Sequence, residues 1–240
     1  MSRTALVFPV LPGKDARDIA TEMKSRPREY AQSRKRLGIT LERAYLQHTP
    51  MGDYVTAYIE AEGDLLEKFG RLPSSELDID RYFVKATKEI HGLDLTQAMP
   101  GPVPETVAAW FDPAAKGRGR GMAFCAPLTP GETERARAFV ADAYHRDEFT
   151  ASRRRLDVSV ELLTLHSTPQ GDIVGIYIEG DDPVKGNAGF AASQDPFDLW
   201  FKEQLTKIFP SAIDFSKPVE GVEEIFDSTK IADLSLGKAA

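Results

Sequence analysis

The chain has 240 residues, 42% hydrophobic and 28% charged, with a formal net charge of −7. That suits a globular protein with a sizeable core, as one large domain or two small ones, and its acidity argues against a nonspecific nucleic-acid surface. A single cysteine, Cys125, excludes an intrachain disulfide framework and a cysteine-rich metal site.

The apolar run 4–10 predicts a short opening strand. The apolar stretch 5–11 is too short for a signal-peptide core or a membrane span, so a cytoplasmic location is expected. A helix is predicted over about 14–37, with Ala16, Ile19, Ala20 and Met23 on one face and Pro27 kinking or dividing it. It ends in the basic run Ser33-Arg34-Lys35-Arg36, followed by Gly38 as a natural cap. A hairpin follows, with strands near 39–48 and 54–61 around the turn Thr49-Pro50-Met51-Gly52-Asp53. A second helix covers about 76–91, and a closing strand is expected at 105–111.

The same order then recurs. Residues 33–60 and 152–179 align without a gap at an offset of 119, and 14 of the 28 positions are identical. Such self-similarity fixes the unit to be explained. The second copy opens at 121–126, where Cys125 reads as a small buried hydrophobe rather than a nucleophile. Its helix carries Ala136, Phe139, Val140, Ala143 and Tyr144 on one face, has no proline to interrupt it, and ends in Arg153-Arg154-Arg155 with Asp157 at the cap position. Strands are expected near 158–167 and 173–179, a helix near 196–209 and a closing strand at 222–226. The glycine-rich segment 180–194 reads as a tolerated insertion, with a flap over a site as the competing reading. The domains are accordingly a first unit at 1–113, a linker at 114–120, a second unit at 121–228 and a frayed tail at 229–240.

The order β-α-β-β-α-β, twice, is the split βαβ arrangement of the ferredoxin-like fold, an α+β class. Each unit makes a four-stranded sheet with helices on one face, and packing the two open faces together is the economical way to cover them. That layout resembles the dimeric α/β-barrel superfamily with both halves in one chain. The resemblance rests on element order and duplication across about residues 3–228. It implies a central pocket and leaves the activity open, because such proteins include small monooxygenases, haem-handling enzymes, decyclising and isomerising enzymes and stress-response proteins.

Strand alternation sorts the hairpins by face. Pairing Thr49 with Tyr54 puts Arg43, Tyr45, Gln47, Thr56, Tyr58 and Glu60 on one face of the first copy, with Ala44, Leu46, Val55, Ala57 and Ile59 beneath the helices. The second copy gives Leu162, Thr164, His166, Gly175, Tyr177 and Glu179, with Val174, Ile176 and Ile178 beneath the helices. The candidate catalytic residues are His166, as a general base, with Tyr45, Tyr58 and Tyr177 as polar aromatic lining. A packed seam would need similar tyrosines and hydrogen-bonded groups for purely structural reasons.

Glu42 and Glu161 fall near the arginine runs, which predicts ion pairs with Arg34 or Arg36 and with Arg153 or Arg155. The arginines themselves read as helix termination and solvation, ahead of anion binding. His48 lies beside a turn, His91 at a helix end and His145 on a helix, and haem ligation by either of the last two is a weak reading. No metal-ligand spacing, GxGxxG, Walker A or GxSxG motif occurs, so no cofactor and no metal are expected. The expected partners are a small-molecule ligand and a second copy in a homodimer, with neither nucleic acid nor membrane. The leading functional reading is a cofactor-independent, oxygenase-like or isomerase-like protein using a pocket between the repeats. A non-enzymatic structural or stress-response protein is the alternative, and the sequence names no reaction.

Overall fold

The computed structural model describes residues 1–97 and 101–231. In chain order the elements are β1 (Ser2–Pro9), α1 (Arg17–Ser25), α2 (Pro27–Leu37), β2 (Ile39–Thr49), β3 (Gly52–Ala61), α3 (Leu65–Phe69), α4 (Asp78–His91) and β4 (Glu105–Phe111). There follow β5 (Arg120–Pro127), α5 (Thr133–Ala143), α6 (Asp147–Arg155), β6 (Val158–Thr168), β7 (Gly171–Gly180), α7 (Pro183–Ala192), α8 (Pro196–Thr206) and β8 (Val222–Asp227). The result is an α+β protein with two four-stranded sheets, ordered β1-β3-β2-β8 and β4-β6-β7-β5. Of the tail expected at 229–240, the first residues are ordered: Ser228–Lys230 form a 3-10 turn and Ile231 packs against the first unit's core, while residues 232–240 lie outside the described residues.

The pairing changes the expected ownership of the closing strands. β4 belongs to the sheet of the second repeat, beside β6, and β8 belongs to that of the first, beside β2. The described residues accordingly divide into two compact units, one drawn from Met1–Pro100 and Glu223–Ala240, the other from Gly101–Val222. The layout that kept 105–111 and 222–226 each within its own repeat is corrected by this exchange. Element order is identical in both arrangements, so sequence cannot distinguish them.

Local chemistry explains the helix boundaries. Pro27 divides the first helical segment, sitting at the first position of α2, where its missing N–H costs no hydrogen bond. Gly38 closes α2 in the left-handed region at φ 63°, and the aligned Asp157 adopts φ 55° after α6. The second copy is broken too, although it lacks a proline. Arg146 is extended at ψ 141°, Asp147 and Glu148 occupy the first turn of α6, and Arg146 pairs with Asp142 at 2.6 Å while stacking over Trp200. Acidic residues favour a helix start, so a new helix begins there instead of the old one continuing. Within residues 180–194, expected as a tolerated insertion or flap, Pro183–Ala192 form the helix α7, started by the Asp182 carboxylate accepting the Lys185 N–H. The Lys202 ammonium donates to the Ala191 and Ser193 carbonyls at 2.9 Å and holds its far end.

One face of each sheet packs on its helices. In the first unit, Leu46 and Val55 meet Ala16, Ala20, Met23 and Ile90, while Ile59 meets Leu37 and Leu65. In the second, Leu165 and Val174 meet Phe139 and Ile208, and Phe149 and Phe201 centre an aromatic cluster with Trp110, Phe190 and Trp200.

A duplicated ionic network crosses these cores. Arg34, 1% exposed, donates from Nε to Glu42 at 2.7 Å, and Arg153 does the same to Glu161 at 2.6 Å. This bears out the expected pairing with Glu42 and Glu161 and replaces solvation as the reading of these two arginines. Burial opposes the charge on each guanidinium, but the carboxylate more than offsets it and holds both charged. Aromatic faces complete the shell: the Arg34 guanidinium sits 4.8 Å from the Tyr30 ring centre, and that of Arg153 sits 4.2 Å from Phe149. Asp80, fully buried, takes Arg36 at 2.6 Å together with Ser33 and Ser75, and Asp198 takes Ser152 and Arg155. Tyr30 donates to Glu42 at 2.9 Å. The aligned residue of the second copy is Phe149, and Tyr144 supplies the missing hydroxyl to Glu161 at 2.6 Å. Burial, and then the carboxylate, push both phenols well up, so they remain protonated donors.

His91 closes α4, with its Nδ1 2.8 Å from the Pro9 carbonyl, so that nitrogen carries the proton and donates. Burial pulls its pKa down from 6.5, partly countered by that bond. The unfolded chain therefore binds the proton more readily. This contribution is intact above pH 6.5 and is lost as pH falls through 6.5 toward the folded value. The loss of stability below pH 6.5 should be smaller in His91→Gln, read as urea midpoints across pH.

Two further outcomes are expected. Arg153→Ala strands a buried carboxylate and should cost about 3–5 kcal/mol in urea unfolding; a loss under about 1 kcal/mol would contradict the network's role. A Cβ at Gly186 would stand 2.8 Å from the Leu156 carbonyl oxygen, whereas one at Gly189 would meet the Leu156 Cδ2 methyl at 3.1 Å. Gly186→Ala should therefore lose about 1–3 kcal/mol despite better helix propensity, while Gly189→Ala stays near neutral.

Candidate functional site

The hairpin turns place the candidate residues. Thr49 pairs with Gly52 and Thr168 with Gly171, leaving two-residue loops, Pro50-Met51 and Pro169-Gln170. Each threonine hydroxyl accepts a loop N–H at 3.2 Å and donates to the glycine carbonyl at 2.7 Å. Gly52 and Gly171, at φ 118° and 123°, let the strands pair closer to the turn than expected. Gln47 therefore lies across from Tyr54 rather than Thr56, and His166 across from Ile173 rather than Gly175. The slide is two residues in each copy. An even slide leaves every side chain on its expected face, so the sorting stands.

On the first unit's face turned away from its helices, Arg3, Ala5 and Val7 lie across from Glu60, Tyr58 and Thr56, which in turn face Leu41, Arg43 and Tyr45. These side chains are mostly buried, with Tyr58 and Thr56 at 0% exposure and Tyr45 at 2%. Tyr45 and Tyr58 are diagonal neighbours, close enough for both rings to touch one ligand. The Tyr58 hydroxyl donates to Glu60 at 2.7 Å, and Arg3 Nε reaches the same carboxylate at 3.2 Å. Arg43 pairs with Asp227 at 3.2 Å. The Thr56 hydroxyl, fully buried, has no hydrogen-bond partner among the described residues.

The second unit repeats part of this. Tyr177 donates to Glu179 at 2.7 Å, the Gly119 N–H donates to that carboxylate at 3.0 Å, and Arg118 stands 4.0 Å away. Both copies thus hold a tyrosine–glutamate pair beside an arginine, although Arg3 and Arg118 come from different places in the repeat. Sequence reasoning missed those arginines because no alignment position links them.

Elsewhere the faces differ. Leu162, Thr164, His166 and Gly175 stand where the first copy has Arg43, Tyr45, Gln47 and Thr56. Cys125 lies across from Gly175, Gly175 across from Thr164, and Thr164 across from Thr106. That row is built from small side chains. His166, 8% exposed, flanks it on one side and Tyr177, fully buried, on the other. Tyr177 pairs with Leu162, so four strand residues separate it from His166, about 13 Å at 3.3 Å per residue. Within each unit the structure brings together His166 with Tyr177 and Tyr45 with Tyr58 on one face. It does not make His166 and Tyr177 neighbours.

The remaining histidines have local partners or exposed positions. His48 meets Asp53 at 2.8 Å beside the turn, His91 is tied to Pro9, and His145 is exposed. Among the described residues no group of three His, Cys, Asp or Glu could hold a metal ion. No helix among them is long and apolar enough to cross a membrane.

No protein-family model matches the chain, and no curated protein matches it. Among solved structures, one from Fusobacterium nucleatum subsp. nucleatum ATCC 25586, named "Putative monooxygenase", aligns with 94% of this chain and 92% of its own at TM-score 0.50 and 10% identity. An "anthrone oxidase-like protein" aligns over 93% and 92% at TM-score 0.48 and 10% identity. The first of these is a likeness of fold.

Proposed function

We propose that this chain is a member of the dimeric α/β-barrel superfamily that binds a small aromatic or carbonyl compound and performs acid–base chemistry on it, with His166 as the base. The carrying observation is the divergence of the repeats on the faces turned away from the helices. The first copy fills the central row with Tyr45 and Thr56, whereas the second leaves Thr164 and Gly175 there and sets a histidine beside them. A neutral imidazole near physiological pH can accept a proton from an enolisable carbon or a phenol, leaving an enolate or phenolate. Returning the proton to another carbon completes an isomerisation. If dioxygen captures the carbanion instead, a carbon–oxygen bond forms and the peroxide anion takes the proton back from the imidazolium. Loss of water from the hydroperoxide then cleaves the O–O bond and leaves a carbonyl, so that one oxygen atom enters the substrate and the other leaves as water. The monooxygenase name of the fold relative agrees with the second course.

Within the second unit, Tyr177 is proposed to contact the far end of the ligand; on the first unit's own face, Tyr45 and Tyr58 are proposed to provide a separate surface for ring contacts. The Thr56 hydroxyl can offer a hydrogen bond to a polar substituent. The lone buried Cys125 fits a cytoplasmic setting. One observation favours the non-enzymatic alternative: the Tyr58–Glu60 and Tyr177–Glu179 pairs occur in both copies and so serve the common scaffold.

The test is a panel of phenols, hydroxyquinones and enolisable diketones, followed by oxygen uptake and by product mass. Against an active compound, His166→Ala should lose about 10²–10⁴-fold in turnover with an unchanged circular dichroism spectrum. Undiminished turnover would remove His166 as the base. Neither binding nor turnover of any panel member by the native chain would favour the non-enzymatic reading.

A further inference from the structure

Beneath the helices, the middle row of each sheet is built to a different size in the two units. In the first it runs Leu6, Ala57, Ala44, each across from the next on β1, β3 and β2. In the second the corresponding row is Phe124, Ile176, Leu163. The helix above differs in the same sense. Asp80 and Asp198 take equivalent serine hydrogen bonds and align α4 with α8 at an offset of 118, which sets Thr87 against Leu205. All four positions are smaller in the first unit.

The two large rings that border this place are engaged at its ends. Phe83 lies 5.3 Å from the Arg34 guanidinium, and Phe8, larger than its counterpart Ala126, is turned to His91 with ring centres 5.5 Å apart. Ala44 and Ala57 stay partly exposed, although β2 and β3 are the central strands and helices cover that face. The gap itself is common to both units, since Leu163 and Ile176 are partly exposed too, but there larger side chains stand in it. Thr87 is 4% exposed, and among the described residues its hydroxyl has no hydrogen-bond partner. A buried hydroxyl left unpaired is costly, and a valine of the same shape would avoid that cost. Phe83 and Ile90 pack onto the sheet, so Thr87, about one turn from each on the same helix face, is turned to the alanine pair.

We propose that the space between α4 and the Ala44–Ala57 pair binds a small apolar ring bearing one hydroxyl. The alanines form its floor, Phe83 an end wall, and Thr87 takes the ligand hydroxyl as its missing partner. In protein cores a dry cavity of about 150 Å³ admits benzene. The site lies on the opposite face of the sheet from Tyr45 and Tyr58 and does not depend on the chemistry proposed for His166.

The test is calorimetric titration of the full chain with benzyl alcohol and with toluene, which lacks the hydroxyl. The native chain should bind both, and His166→Ala should do so equally well. Thr87→Val should weaken benzyl alcohol about 5-fold, the equivalent of one hydrogen bond, while toluene stays within about twofold and the urea midpoint holds or rises. Ala57→Ile, which installs the second unit's side chain, should abolish binding of both and also hold or raise the urea midpoint, because the added atoms enter open space. A fall in the Ala57→Ile midpoint would mean that the space is already filled, and would overturn the proposal. So would no binding of either compound by the native chain, binding retained in Ala57→Ile, equal effects on both compounds in Thr87→Val, or binding lost in His166→Ala.

Discussion

A guanidinium withdrawn from water must find a carboxylate, and in both units that requirement fastens a helix end to a hairpin. Arg34 and Arg153 lie at the last turns of α2 and α6, and their partners Glu42 and Glu161 lie on the first hairpin strands. Because each arginine is buried, sliding the strand by one residue would turn its glutamate to the opposite face and leave the charge unpaired. The pair therefore fixes which side chains lie beneath the helices and which face away. Everything proposed about Tyr45, Tyr58, His166 and Tyr177 inherits its geometry from that fixed sorting.

The network also shows how a duplicated module tolerates drift. When the aligned hydroxyl is absent at Phe149, Tyr144 reaches the same glutamate from the preceding helix. When the arginine beside Glu60 has no aligned counterpart, Arg118 approaches Glu179 from the connection before β5. What is preserved is the satisfaction of a buried charge rather than a residue at a position. Against that background, the replacement of Gln47, Tyr45 and Thr56 by His166, Thr164 and Gly175 stands out, because it changes the size and chemistry of the central row instead of preserving them.

Much of this was legible in the sequence. The repeat, the helix caps at Gly38 and Asp157, the glutamate–arginine pairs and the two faces of each hairpin all follow from local chemistry and period-two alternation. The hairpin register differs from the expected one by two residues because Gly52 and Gly171 have backbone angles that let them join the ladder, although glycine after a proline turn looks like loop. Residues 183–192 are helical although glycines at 186 and 189 look like a loop. In fact Gly186 is where α7 approaches the Leu156 carbonyl too closely for a side chain. The exchange of β4 and β8 left no trace, since strand ownership depends on long-range pairing that element order does not encode. The candidate site was legible as a face and a set of residues, while the separation of His166 from Tyr177 needed the register.

The central claim is that the reacting group and the space beside it reside where the copies differ, and the buried ionic scaffold where they agree. Amide and side-chain NMR of the full chain, titrated with simple phenols and enolisable ketones, tests this most directly. The account predicts the largest shifts at Thr164, His166 and Gly175, with the Arg34–Glu42 and Arg153–Glu161 resonances unmoved. Shifts confined to the helix surfaces, or spread equally over the aligned positions of both copies, would contradict it.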